Sequence, residues 1–244
     1  MHIVIQGAGR GLGLAFAHHA LRAGATKLYL TARNPQDCEG SLQLQPSEHV
    51  QWFKLDFLHP DQIASTGKAI LAAAPQIDRV IVTAGVLHEG EIQPEKRIGT
   101  LETESMLHLY QVNAMGPVLF LKSLWPALRQ TRPVTAASLS ARVGSIADNR
   151  LGGWYSYRAS KAALNQYMRT FSIELARYND QAKIVTLHPG TVETGLSQPF
   201  RSQVAKEKLK SASESADQLW TVLDRLSVGD SGGFFAYDGE RIDF

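Results

Sequence analysis

Tyr157 and Lys161 stand four positions apart in the stretch YSYRASKAAL, residues 155–164. Residues i and i+4 of a helix are neighbours on one face, so a helix would place the Tyr157 phenol beside the Lys161 ammonium. A free phenol has a pKa of about 10, and an adjacent cation lowers that value. The spacing therefore predicts that Lys161 tunes Tyr157 as a general acid and base.

A glycine-rich turn follows the first apolar run, in the stretch HIVIQGAGRGLG at residues 2–13. Gly7, Gly11 and Gly13 are spaced as G-x-x-x-G-x-G, and a helical pattern begins at once. Such a turn brings bare backbone and a helix amino terminus to the pyrophosphate of a dinucleotide, although glycines also serve packing alone. The predicted cofactor contacts of this turn are Gly7, Arg10, Gly11, Leu12 and Gly13.

The end of the second apolar run bears on the choice of cofactor. An acidic side chain there would hydrogen-bond a free ribose 2′-hydroxyl and repel a 2′-phosphate, but the run ends in Thr31, Ala32 and Arg33. Arg33 and Arg10 suit a 2′-phosphate, unless both simply point into solvent. The sequence predicts NADP in preference to NAD.

Seven short apolar runs rich in β-branched residues predict the strands that would position these groups. Segments with helical spacing lie between most of them, at 12–24, 61–74, 104–130 and 157–178. This alternation predicts an α/β fold, a doubly wound parallel sheet with helices on both faces. The seven predicted strands are 2–7, 27–33, 50–57, 78–85, 133–140, 183–190 and 233–239.

No internal repeat or linker divides the 244 residues, so we expect one domain over 1–244. The least regular part is 191–216, after the sixth predicted strand. Because ligands of such sheets bind at the carboxyl ends of the strands, this segment is a candidate substrate lid.

Composition excludes several classes of function. The net charge is only +2, and the basic stretch 201–210 resembles a solvated helix face, so we expect no nucleic-acid partner. No apolar stretch approaches about 18 residues and no charged leader precedes the first run, which argues against a membrane span or secretion. Cys38 is the single cysteine, which favours the reducing cytoplasm.

Two further features, the histidines and the stretch GDSGG, do not predict a functional site. The eight histidines include no H-E-x-x-H pattern, and His18 and His19 point in different directions on a helix, so no metal site is predicted. The stretch GDSGG at 229–233 resembles a hydrolase motif, but no histidine follows Ser231 to act as its base. Ser231 is predicted to lie in a turn.

Taken together, the glycine turn and the Tyr157/Lys161 pair resemble the short-chain dehydrogenase/reductase family, with its T-G-x-x-x-G-x-G and Y-x-x-x-K motifs. The resemblance covers essentially the whole chain, with Gln6 in place of the usual threonine. It implies a seven-stranded Rossmann-type sheet and an oxidoreductase that moves a hydride between NADP(H) and a carbonyl or secondary alcohol, a small-molecule substrate.

The resemblance also implies roles for single residues. Asn113 would interrupt a helix and hold a water in a proton relay, and Lys161 would bind ribose hydroxyls beside Tyr157. In the stretch VTAG at 82–85 the last two residues match the family's N-N-A-G motif, whereas Val82 and Thr83 depart from it. The implied cofactor contacts outside the glycine turn and Arg33 are Asp56, Ala84, Gly85, Tyr157, Lys161, Pro189, Gly190, Val192 and Thr194.

The catalytic serine has three candidates in the stretch ASLSARVGS, residues 137–145. The family's S-x-x-G spacing would place it at Ala141. Ser140 is nearest and is the preferred candidate, Ser138 lies on the same side of an extended strand, and Ser145 is more distant.

The stretch 141–165 and the ending at 232–244 resemble the C-factor-like branch of the family, which is associated with cell-to-cell signalling. A nucleotide-binding signalling protein with little turnover is therefore the alternative function. The long apolar faces of 104–130 and 157–178 imply a homodimer or homotetramer. Trp154, Tyr155 and Phe200 are expected to wall an apolar pocket or to lie in the core.

Overall fold

A seven-stranded parallel sheet forms the centre of the computed structural model, which describes residues 1–198 and 209–244. All six pairs of neighbouring strands are parallel, as the sequence predicts. The direction of strand order reverses between the first and fourth strands, which opens a crevice at their carboxyl ends. In spatial order the strands are β3 (Val50–Lys54), β2 (Lys27–Ala32), β1 (His2–Gln6), β4 (Arg79–Val82), β5 (Val134–Leu139), β6 (Ala182–His188) and β9 (Phe234–Ala236).

Helices connect the strands and cover both faces of the sheet. A separate pair of two-residue strands, β7 (Thr191–Val192) and β8 (Leu209–Lys210), lies after β6. The helices are α1 (Gly11–Arg22), α2 (Glu39–Gln43), α3 (Pro60–Ala73), α4 (Thr103–Tyr110), α5 (Gly116–Ser123), α6 (Trp125–Leu128), α7 (Tyr155–Leu175) and α8 (Ala212–Arg225).

Two apolar layers hold the helices to the sheet. Ile3 and Ile5 of β1 face one layer with α1 and α8, whereas Val4 faces the other with α3, α5 and α7. Burial on both faces explains why the strands read as continuous apolar runs rather than as alternating ones. The predicted strands extend beyond the observed ones because apolar residues continue into the loops at the carboxyl ends.

The predicted helix 104–130 is divided in the structure. A π-helical turn, Gln111–Met115, joins α4 to α5, and the amide of Gly116 donates to the carbonyl of Gln111, five residues back. Pro117 has no amide hydrogen, and in a regular helix its ring would clash with the carbonyl of Asn113. The helix therefore widens at Asn113, as the family resemblance implies.

The candidate lid at 191–216 is described only in part. Its first and later residues form the β7 and β8 pair, and residues 212–216 belong to α8. Residues 199–208, with Phe200 and most of the basic stretch, lie outside the described residues. Within 1–198 and 209–244, no helix has the length and apolar character needed to cross a membrane.

Candidate active site

A cleft of about 1330 Å³ opens at the carboxyl ends of the strands. The glycine turn, the loops after β2 to β6 and the first turns of α7 surround it. Of the site residues predicted from the sequence, all except Asn113 line this cleft. They are Gly7, Arg10, Gly11, Leu12, Gly13, Arg33, Asp56, Ala84, Gly85, Ser140, Tyr157, Lys161, Pro189, Gly190, Val192 and Thr194.

The glycine turn packs too closely for side chains at two of its three motif positions. Gly7 has a φ of +85°, in the left-handed region that favours glycine. A Cβ atom on Gly13 would lie 2.2 Å from the carbonyl oxygen of Gly7. The motif therefore lets the first turn of α1 approach the backbone that leaves β1.

Two of the three departures from the family pattern at this end of the sheet, Gln6 and Thr83, contact each other. The Thr83 hydroxyl donates to the carbonyl of Gln6 at 2.7 Å, and the Ala84 amide donates to the Gln6 side-chain oxygen at 3.1 Å. Gln6 is buried. These bonds tie the end of β1 to the loop after β4 and so fix the backbone at Ala84.

Tyr157 and Lys161 lie in the first two turns of α7, and both side chains are buried. The Lys161 ammonium donates to the carbonyl oxygen of Leu139 at 2.9 Å and lies 5.8 Å from the centroid of the Tyr157 ring. The helix therefore brings the pair together as their spacing predicts.

Their pKa values differ from the sequence prediction. Burial raises the pKa of the Tyr157 phenol, and burial lowers the pKa of Lys161 to about 8. Desolvation disfavours the charged form of each group, and here it outweighs the expected lowering of the Tyr157 pKa by Lys161. Tyr157 is therefore a neutral phenol at pH 7, the protonation state from which it can donate a proton.

Asn113 lies behind the cleft, in the π-helical turn, and is fully buried. Its side-chain oxygen accepts from the Val86 amide at 2.7 Å, and its nitrogen donates to the Val86 carbonyl at 2.7 Å and to the Ser160 hydroxyl at 3.1 Å. Asn113 thus joins the loop after Gly85 to the middle of the YRASK segment of α7.

The three candidate serines occupy different surroundings. Ser140 follows β5 directly and lines the cleft, and its buried hydroxyl has no hydrogen-bond partner among the described residues. Ser138 is buried within the sheet, beside Val82 and Thr186. The Ser145 hydroxyl accepts from the Asp148 amide at 3.1 Å, away from the cleft. The geometry favours Ser140.

Arg33, the arginine predicted to bind a 2′-phosphate, has an ion-pair partner that is distant in the sequence. Arg33 donates to the Glu89 carboxylate at 2.7 Å, and Glu89 also lies 3.3 Å from the His108 ring. The Arg33 side chain is 58% exposed, so this ion pair is a weak one. Arg10 is exposed at the start of α1.

Asp56 follows β3 and is half-buried. Its carboxylate accepts from the Leu58 amide at 3.0 Å, an Asx turn that fixes the loop beside the cleft. The side chain of this predicted cofactor contact therefore has a defined direction at the wall of the cleft.

The loop after β6 closes the opposite wall of the cleft. Gly190 has a φ of +78°, and a Cβ atom there would lie 2.9 Å from the Tyr237 ring. The Ser215 hydroxyl of α8 donates to the Pro189 carbonyl at 2.9 Å, and the Thr194 amide donates to the Val192 carbonyl at 2.8 Å. The side chain of Thr194 approaches Gly11, so this loop meets the glycine turn.

The sequence did not single out His188 as a cleft residue. It ends β6 and lines the cleft, and burial, followed by the charge of Arg142, lowers its pKa to about 4. Its imidazole is therefore neutral at pH 7. The feature of the sequence that could have identified His188 is its position next to Pro189, a predicted cofactor contact. Among residues 1–198 and 209–244, no cluster of three or more metal-binding side chains occurs.

Comparison with known proteins identifies the family. A family model described as short chain dehydrogenase matches residues 1–205 of this chain. C-signal of Myxococcus xanthus is 34% identical over 145 residues, which cover 59% of this chain and 82% of C-signal. This similarity agrees with the predicted C-factor-like branch.

Solved structures of the same family share the fold over all of this chain. A short-chain dehydrogenase/reductase of Burkholderia multivorans with bound NADP has a TM-score of 0.80 at 27% identity, and the match covers 99% of that chain. A carbonyl reductase of Pseudomonas aeruginosa has a TM-score of 0.80 at 26% identity, again with 99% of its chain covered. The chain belongs to the short-chain dehydrogenase/reductase family of NAD(P)-dependent oxidoreductases.

Proposed function

We propose that this protein is an NADP(H)-dependent carbonyl reductase or secondary-alcohol dehydrogenase. The observation that carries the proposal is that a neutral buried phenol, Tyr157, and an unpartnered buried hydroxyl, Ser140, line the same cleft as the glycine turn. A buried hydroxyl without a partner loses the free energy of a hydrogen bond, which a substrate oxygen would restore.

The residues of the cleft fit a dinucleotide. The backbone approach between Gly7 and Gly13 leaves room for phosphate but not for side chains, and the α1 amino terminus favours an anion there. Asp56, Ala84 and Gly85 would hold the adenosine half, and the loop of Pro189, Gly190, Val192 and Thr194 would hold the nicotinamide. When bound, the cofactor supplies a hydride at its nicotinamide ring.

Two arginines support NADP over NAD. Arg33 follows β2 and Arg10 lies within the glycine turn, and both line the cleft. Their guanidinium groups can form charge-assisted hydrogen bonds to a 2′-phosphate. The exposed pair of Arg33 with Glu89 leaves donor nitrogens of Arg33 for such a phosphate.

The catalytic side chains divide the tasks of carbonyl reduction among them. Tyr157 donates its phenolic proton to the carbonyl oxygen as the alcohol forms, and Ser140 donates a hydrogen bond to that oxygen. Lys161, with its pKa lowered to about 8, binds the ribose hydroxyls and stabilises the phenolate left on Tyr157. Asn113 holds the loop after Gly85 against α7 and serves the proton relay.

The apolar wall beside Tyr157 indicates the form of the substrate. Trp154 lines the cleft with Leu87, Val143 and Leu196, which pack in one cluster with Tyr157. Tyr155 points elsewhere, since its side chain is exposed and does not line the cleft. We therefore infer a small carbonyl compound or alcohol with an apolar substituent.

A screen of aldehydes, ketones and quinones with NADPH and with NADH tests the proposal. We expect NADPH oxidation with at least one apolar ketone or aldehyde, and a higher kcat/KM with NADPH than with NADH. Binding of dinucleotide without turnover across the screen would contradict it and would favour a signalling role.

A further inference from the structure

The first turn of α7 follows an unusual run of backbone. Gly152, Gly153 and Trp154 have φ values of +64°, +66° and +53°, and Trp154 is the one non-glycine among the described residues with a positive φ. A bulky side chain in this region is strained. The surrounding structure must therefore hold the chain in this form.

Glu95, in the loop between β4 and α4, holds both sides of this bend. Its backbone carbonyl accepts from the Trp154 amide at 2.5 Å. Its carboxylate accepts from the Ser156 amide at 3.2 Å and from the Ser156 hydroxyl. Glu95 is buried with only 5% of its surface exposed, so these bonds are shielded from water.

The carboxylate serves as a helix cap that α7 lacks in its own sequence. Trp154 occupies the capping position but its side chain makes no capping hydrogen bond, and no acidic residue lies in the first turn of α7. The first amides of a helix need acceptors, and a negative group near them is favourable. Glu95 supplies both functions from 61 residues away along the chain.

The bend and the cap lie directly against Tyr157. The Trp154 ring packs edge-on against the Tyr157 ring, with 6.2 Å between centroids and 76° between planes, and Ser156 is the preceding residue. A shift in the first turn of α7 would therefore move the phenol relative to Ser140. Misplacement of a reacting group by about 1 Å can cost roughly a hundredfold in rate.

We propose that Glu95 is a positioning residue for Tyr157. It fixes the first turn of α7 through Ser156 and Trp154, and thereby sets the place from which the phenol delivers its proton. The inference rests on the proposed carbonyl chemistry, in which Tyr157 is the proton donor.

Glu95→Gln tests the proposal with little change of volume. Glutamine keeps one acceptor oxygen for the Ser156 amide, but its NH2 group can only donate, so the Ser156 hydroxyl loses its acceptor and the helix start loses the negative charge. We expect kcat to fall roughly ten- to hundredfold at a temperature where the protein is fully folded, with the NADPH dissociation constant unchanged. Ser156→Ala should lower kcat less, and the double variant should be no slower than Glu95→Gln, because both changes affect one interaction.

Glu91→Gln is the matched control, because Glu91 is exposed on the same loop. Hydrogen exchange over 152–160 is the second readout and does not depend on turnover. Faster exchange there in Glu95→Gln but not in Glu91→Gln supports the proposal even if the wild-type protein reduces no carbonyl, a result that would count against the proposed function alone. Unchanged exchange, or a lower unfolding free energy with unchanged kcat, would overturn the proposal.

Discussion

Arg33 and Glu89 line the cleft from either side of β1, one after β2 and one after β4. The residue types at the ends of the first two strands were enough to predict the glycines and the arginine as cleft residues, and the i, i+4 spacing was enough to predict that Tyr157 and Lys161 lie together on one helix. Glu89 and Glu95 could not be predicted as partners, because each meets its contact through the fold and not through a local spacing. The pKa values of Tyr157 and Lys161 could not be predicted from the sequence either, because they depend on burial.

Arg33→Asp should weaken NADPH binding by about 2 to 4 kcal/mol, because it removes a charged hydrogen bond and adds repulsion of the 2′-phosphate. NADH lacks that phosphate, so its dissociation constant should change little. Fluorescence titration with both cofactors measures the difference.

The control for this change is Arg97→Asp, at an exposed residue that does not line the cleft. It carries the same change of net charge. An NADPH dissociation constant that is equal in both variants, or a wild-type preference for NADH, would count against the assignment of NADP.

At the scale of secondary-structure elements, the strands were predictable because both faces of the sheet are buried and the strands read as apolar runs. The division of the predicted helix 104–130 was signalled by Pro117, four residues after Asn113, but the apolar periodicity of the segment concealed it. The form of the α7 start was not predictable, since its cap lies on a distant loop. The packing of α1 on the glycine turn follows from the motif itself.

Gly13→Ala should destabilise the protein by about 1–3 kcal/mol and weaken binding of both cofactors. The added methyl group would lie 2.2 Å from the Gly7 carbonyl oxygen, so the turn or the helix must move. Chemical denaturation followed by circular dichroism gives the free energy of unfolding.

Gly99→Ala is the comparison, because a Cβ atom there meets no atom within 4 Å and the backbone needs no positive φ. It should leave stability and cofactor binding nearly unchanged. If Gly13→Ala behaved in the same way, the close approach of α1 to the turn would not be a requirement of the site.

On the scale of the whole molecule, α4 and α7 contact each other, and the hydroxyls of Tyr110 and Tyr167 lie 2.8 Å apart. Large apolar side chains on these helices nevertheless remain exposed, Leu107 by 64% and Ile173 by 51%. Contiguous exposed apolar surface is typical of protein interfaces. The sequence shows that these faces are apolar. Whether they pack within the chain or remain exposed for a partner depends on the fold, so this could not be predicted from the sequence.

We expect sedimentation at micromolar concentration to give a homodimer or homotetramer. Leu107→Glu should shift the protein toward the monomer, because it places a charge on the exposed face of α4. Leu151→Glu changes a residue that is 93% exposed outside these helices and should leave the assembly intact. A monomeric wild-type protein would show that the exposed faces serve no self-association.

Tyr157→Phe tests the central claim most directly, since it removes the phenolic hydroxyl and keeps the ring that packs against Trp154. Turnover and the NADPH dissociation constant are measured on the same preparation. The account predicts that turnover falls by at least about a hundredfold, as for a lost general acid, while NADPH affinity stays nearly the same. Turnover equal to that of the wild-type protein would contradict the assignment of Tyr157 as the proton donor.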